Sequence, residues 1–175
     1  MKRVIIGLAV LGCAAGSAAG NFEYPKRKPG EWQVTIHSAN AKLPPRVESV
    51  CLDAATDQLL YQVGLGATQK LCAESHWAHG AGGRIVADLT CQLGGTHARV
   101  HAEITVSGDS AYHEDITTHY DPPLYGKSEL VSTHDAHWLG VCPADMKPGD
   151  VVVKPSPTMP MSLRMNLTDM LKKGQ

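Results

Sequence analysis

Apolar and polar residues alternate along most of this chain. In "KPGEWQVTIH", Trp32, Val34 and Ile36 alternate with Glu31, Gln33 and Thr35, the period of a strand with one buried face. "LPPRVESVC" predicts an extended entry and a short strand, since Pro44 and Pro45 exclude helix there. One segment breaks the period of two. Asp53 can cap "AATDQLLYQVG", where Leu59, Leu60 and Val63 have helical spacing. That helix is expected to end near Gly64 or Gly66.

Beyond it the pattern predicts an antiparallel meander. The "GG" of "LTCQLGGTHARVHAEITV" is a two-residue hairpin signal. Pairing Leu93 with Thr96 sets Cys91 against Ala98, Leu89 against Val100, Ala87 against Ala102 and Ile85 against Ile104. A one-residue slip would break every match. A three-residue loop at "SGD" then pairs Val100 with Ile116 and Ile104 with Tyr112. A last strand, 127–139, follows the Pro122-Pro123 break, and "ESHWAHGAGGRIVADLTC" reads as a further hairpin with its tip in Gly80 to Gly83. The fold class expected is mainly β, an antiparallel meander forming a sandwich or a partly closed barrel. It carries one short helix near residues 53–63 and an extended C-terminal tail from about 150.

The chain opens "MKRVIIGLAVLGCAAGSAAG", with two basic residues, a short apolar run and small residues after it. This is the layout of a secretory signal peptide over 1–19, cleaved before Gly20, leaving 20–175 as a single disulfide-bonded β domain. The alternative is a lipobox in "VLGC", which would anchor the protein to a membrane through Cys13. The expected localisation is periplasmic or secreted, or membrane-anchored by that lipid. Removing Lys2 and Arg3 from a chain with 16 basic and 17 acidic residues moves the net charge from −1 to −3. With no basic stripe, nucleic acid is excluded as the expected partner. An envelope ligand or protein remains. No later apolar run is long enough for a transmembrane helix.

After the leader, Cys51, Cys72, Cys91 and Cys142 remain. An even number in an exported chain predicts two disulfides. Their separations are far from the paired C-x₂₋₄-C spacing of a zinc site. Cys72 and Cys91 are symmetric about the hairpin tip and would face each other if its strands pair without a bulge. Of the three pairings, this reading takes Cys72–Cys91 and Cys51–Cys142. The stretch "HWLGVCPADMKPGD" then ends the sheet. Pro143 blocks further pairing, Lys147-Pro148-Gly149-Asp150 turns away from the body, and Trp138 packs under the corner.

Here the sequence resembles a known family. "WLGVCPADMKPGD", with "KPGEW" and "PPRVESVCL" before it, is similar to the small exported bacterial proteins catalogued as domain of unknown function 3617. The resemblance runs over 28–150, with Trp138, Cys142, Pro143, Pro148 and Gly149 among its matching residues and His137 a departure where Arg is expected. It implies an exported protein with the same Cys scaffold and no established activity.

The chemistry offered by the side chains is sparse. The expected register puts His97, Arg99, His101 and Glu103 on the outer face of one strand. Asp88, Thr90 and Gln92 flank them on one side, and His113, Asp115, Thr117 and His119 on the other. Imidazole and carboxylate suit zinc or copper, which makes His97, His101, His119, Asp88 and Asp115 the metal candidates. Cross-strand polar partners on a solvated face account for the same pattern. Met159, Met161, Met165 and Met170 in the tail suit Cu(I), or pack the tail. Glu74, His76 and His79, and His134, Asp135 and His137, lie close in sequence, and Ser128 or Ser132 near His134 could begin a hydrolase. No G-x-S-x-G and no free thiol accompany them, so no enzyme and no cofactor is expected. The function expected is a non-catalytic binding or structural module for a small or lipid-like ligand. The alternatives are zinc or copper handling, then hydrolysis.

Overall fold

The computed structural model describes residues 22–39 and 44–169, with the side chains of 62–69 left aside. The expected leader, Cys13 and Met170 lie outside the described residues. The fold is mainly β. Nine antiparallel strands form a single sheet: β1 (Gly30–Ser38), β2 (Arg46–Leu52), β3 (Cys72–His79), β4 (Arg84–Leu93), β5 (Thr96–Ser107), β6 (Ala111–Leu124), β7 (Lys127–Gly140), β8 (Asp150–Val153) and β9 (Leu163–Asn166). Their order is β3-β4-β5-β6-β7-β1-β2-β8-β9. All strands share one sheet, so no second layer forms a sandwich. The sheet is not closed into a barrel, with β3 and β9 as its edges.

One helix, α1 (Ala54–Leu71), follows β2. Asp53 and Thr56 cap it reciprocally: Thr56 N–H donates to Asp53 Oδ1 and Asp53 N–H donates to Thr56 Oγ1, each at 2.8 Å. The helix runs past Gly64 and Gly66, where the sequence reading ended it. Glycine costs a helix interior only about 1 kcal/mol, and no Pro interrupts this one. α1 touches β2 near one end of the strand order and β3 and β4 at the other. A flat sheet could not reach it from both ends, so the sheet curls around the helix.

The registers follow the alternation in one hairpin and depart from it in the next. β4 and β5 pair as the apolar matches require, from Leu93 with Thr96 to Ile85 with Ile104. Between β5 and β6 the loop has three residues, but they are 108–110. Val100 therefore pairs with Thr118, Ala102 with Ile116 and Ile104 with Glu114. The shift is two residues, so each side chain keeps its face and only its neighbour changes. β3 and β4 carry a bulge between Cys72 and Glu74, which brings Cys72 opposite Cys91 although the rest of the hairpin is offset by one.

The tail does not turn away. Gly149 N–H donates to the Cys51 carbonyl at 2.8 Å, and Val151 pairs with Val50. Three β-branched valines satisfy the open edge of β2, and β9 then pairs with β8. Trp138 lies against the opposite terminus rather than under the Cys142 corner. Its Nε1 donates to the Pro29 carbonyl at 2.9 Å, and Lys28 Nζ stands 3.9 Å from its ring centroid.

Even-numbered residues of β1, β2, β5, β6 and β7 and odd-numbered ones of β3 and β4 form the inner, helix-side face. The core sits there. Trp32, 2% exposed, packs with Val50, Leu52 and Ala136, and Val34, Leu60, Tyr112, Trp138 and Val151 surround them.

Candidate ligand groove

The inner face is concave, and the segment before β1, residues 22–29, crosses it as a strap. Three sets of contacts hold the strap. Tyr24 stacks on Tyr61 of α1 with centroids 4.4 Å apart and meets Trp77 of β3 edge-on at 5.3 Å. Tyr61 Oη donates to the Pro25 carbonyl at 2.6 Å. Arg27 Nε meets Asp57 Oδ1 at 2.6 Å, with both side chains largely covered. Asp57 lies in the first turn of α1, where a carboxylate also complements the helix dipole. Burial alone would lower the Arg27 pKa, but Tyr61, Asp57 and Tyr112 outweigh it and raise it. The guanidinium stays charged. Tyr24 is pushed up to about 12 by burial and by Tyr61, so it stays neutral.

Under the strap lies a cavity of about 200 Å³, walled by Tyr24, Trp32, Trp77, Ile104, Val106 and Tyr112. A second cavity of about 260 Å³ continues along the inner face, walled by Val34, Ile36, Val50, Leu52, Leu60 and Val151. Both are bordered by Arg27, Trp32 and Tyr112. They are two lobes of one groove with those three side chains between them. Charged and polar residues interrupt the walls, among them Lys26 and Asp109 at the first lobe. Glu114 borders the first lobe and His134 the second, and they are paired at 2.9 Å. Glu48 borders the second and pairs with Arg46 at 2.9 Å.

The sequence reading did not name the walls of the groove. Its one visible signal was parity. Glu114 and His134 occupy inner positions on β6 and β7 among apolar residues, an exception that alternation makes detectable. The strap gave no such signal, because its partners on α1 and β3 are distant in sequence.

The outer face carries seven of the nine His, all except His79 and His134. Of the metal candidates, His101 and Asp88 are brought together, with Nδ1 to Oδ1 at 2.7 Å. The others disperse. His119 pairs with Glu129 at 3.4 Å and faces Arg99, while His97 faces Gln92 and Asp121. Asp115 meets His113 at 3.2 Å and faces Glu103. The expected neighbours His97–His119, His101–Asp115 and Glu103–His113 do not form, because β6 sits two residues along. Among the described residues no group of three or more His, Cys, Asp or Glu could hold a metal ion. Hydrogen bonding to the Asp88 carboxylate raises the His101 pKa, and hydrogen bonding to Asp135 raises that of His113. These are the cross-strand partnerships of a solvated face.

The short sequence clusters also separate. Glu74 and His76 point outward while His79 points inward against Phe22, with ring centroids 4.4 Å apart. His134 points inward, Asp135 and His137 outward. Ser132 shares the inner face with His134, but among the described residues His134 bonds Glu114 and neither Ser132 nor Ser128. In the tail, Met165 pairs with Val151 in the sheet and Met161 is exposed.

Cys51 and Cys142 stand at disulfide distance with Cα atoms 5.6 Å apart, and Cys72 and Cys91 form a second such pair. Two such pairs fit an oxidising, extracellular environment. No helix among the described residues is long and apolar enough to cross a membrane.

The family model described as protein of unknown function (DUF3617) matches residues 27–142, and the chain belongs to that family. The match begins at Arg27 of the strap and ends at Cys142, leaving Pro143, Pro148 and Gly149 beyond it. No curated protein and no solved structure matches the chain.

Proposed function

We propose that this is an exported cell-envelope protein that holds a small apolar or amphiphilic molecule in the groove between its curled sheet and the strap, without transforming it. The observation that carries this reading is the lobe under the strap, with Trp32, Trp77, Ile104, Val106 and Tyr112 on its walls. A cavity of about 150 Å³ has room for a molecule as large as benzene, and this lobe has about 200 Å³. The second lobe extends the space along the same face, which suits a chain more than a compact ring. The two cysteine pairs support an oxidising compartment, and the leader-like first twenty residues support export. Metal handling is the weaker reading, since its candidate ligands are dispersed over the outer face. The test is native mass spectrometry of protein purified from its own host without denaturation. A retained organic mass that organic solvent releases is the expected result. A retained metal, or the bare polypeptide mass after purification and after exposure to host lipid extract, would count against it.

A further inference from the structure

The groove has a polar point, and its hydrogen-bonding character selects the ligand's head group. We infer that the Glu114–His134 pair recognises a hydrogen-bond-donating head, an ammonium or a hydroxyl, on a molecule whose apolar part fills the lobes. This rests on the proposed function and specifies its ligand.

Arg27 is neutralised by Asp57 at 2.6 Å and Arg46 by Glu48 at 2.9 Å, while Lys26 and Asp109, of opposite charge, stand exposed beside the first lobe. Glu114 is held by His134, whose Nδ1 lies 2.9 Å from Glu114 Oε2. Glu114 engages the ring through Nδ1 alone. Glu114 Oε1 remains an acceptor without a partner among the described residues. Both side chains are about three-quarters covered, at 22% and 24% exposure, and each borders one lobe. A carboxylate oxygen with a free lone pair attracts a donor and repels a second carboxylate. Arg27 borders the same place but already serves Asp57, and so offers a carboxylate no net attraction.

The test uses the mature protein and the fluorescent probe N-phenyl-1-naphthylamine, displaced by decylamine, decanol or decanoate. Decylamine and decanol should displace it at concentrations about tenfold below decanoate, the worth of one hydrogen bond to a charged group. Glu114→Gln should weaken decylamine by at least about fivefold relative to decanoate, and a cooperative thermal melt shows that the variant is folded. If decanoate competes as well as decylamine, or Glu114→Gln leaves the ranking intact, the inference is wrong while the groove stands. If the probe does not bind at all, groove and inference fail together.

Discussion

Trp138 Nε1 donates a 2.9 Å hydrogen bond to the carbonyl of Pro29, 109 residues earlier in the chain. This bond joins two of the three segments that the family resemblance rests on, "KPGEW" and "WLGVC". Trp32 and Trp138 are register partners, and a bulge at Leu139 lets Glu31 pair with Gly140. The junction fixes the end of the strap. Strap and groove therefore depend on a strand pair that closes late in the sequence.

Gly30→Ala tests that junction. Gly30 has φ +134°, and a Cβ there would collide with the Gly140 carbonyl and Trp138 Nε1. The Gly140 carbonyl is backbone and cannot retreat without disturbing the β1–β7 pairing. Thermal melts should show a loss of about 3 kcal/mol or more, from overpacking and backbone strain together. Gly82→Ala, at φ +71° with nothing within 4 Å of the added atom, should cost only the backbone term, about 1 kcal/mol.

Cys142→Ser should harm the protein more than His101→Ala. The Cys51–Cys142 pair spans 91 residues, which chain entropy values at about 4.5 kcal/mol. Its loss also leaves Cys51 with an odd thiol. His101 is half-exposed on the outer face, where substitutions change stability by about 0.5 kcal/mol or less. Melts of both variants in metal-free buffer make the comparison. A lower midpoint for His101→Ala would reopen the outer face as a functional surface.

His101 and His113 should titrate above the ordinary histidine value, because Asp88 and Asp135 stabilise their charged forms. A raised folded-state pKa stabilises the fold fully below the unfolded value of about 6.5 and loses that contribution as pH rises through the folded value. Both rings are about half-exposed, so solvent screening keeps the stability effect small. Imidazole proton NMR reads the pKa itself. Asp88→Asn should return His101 toward 6.5 and leave His113 in place.

How far the sequence disclosed this structure depended on what fixed each feature. The β4–β5 register was legible because a Gly-Gly turn and four apolar pairs demand the same offset. The β5–β6 register was not. A two-residue shift keeps Ile104 and Ile116 on the inner face, so alternation cannot see it, and the choice passes to the turn. β8 and β9 have four residues each, between prolines and turns, and only the open edge of β2 makes them strands. Among groove residues, Trp32 and Val34 were legible as a buried face but not as a wall. A wall requires the curl of the sheet and the strap across it, and both arise from contacts distant in sequence.

The most direct measurement places one bulky side chain on either face of the same strand. Val106 borders the lobe under the strap, and Thr105 lies beside it on β5, exposed on the outer face. Binding of N-phenyl-1-naphthylamine is followed by energy transfer from tryptophan, since Trp32 and Trp77 stand in the cavity wall. The account predicts that Val106→Phe abolishes the transfer, while Thr105→Phe binds the probe as the unmodified protein does. Equal binding by both variants, or none by the unmodified protein, would contradict a ligand groove on the inner face.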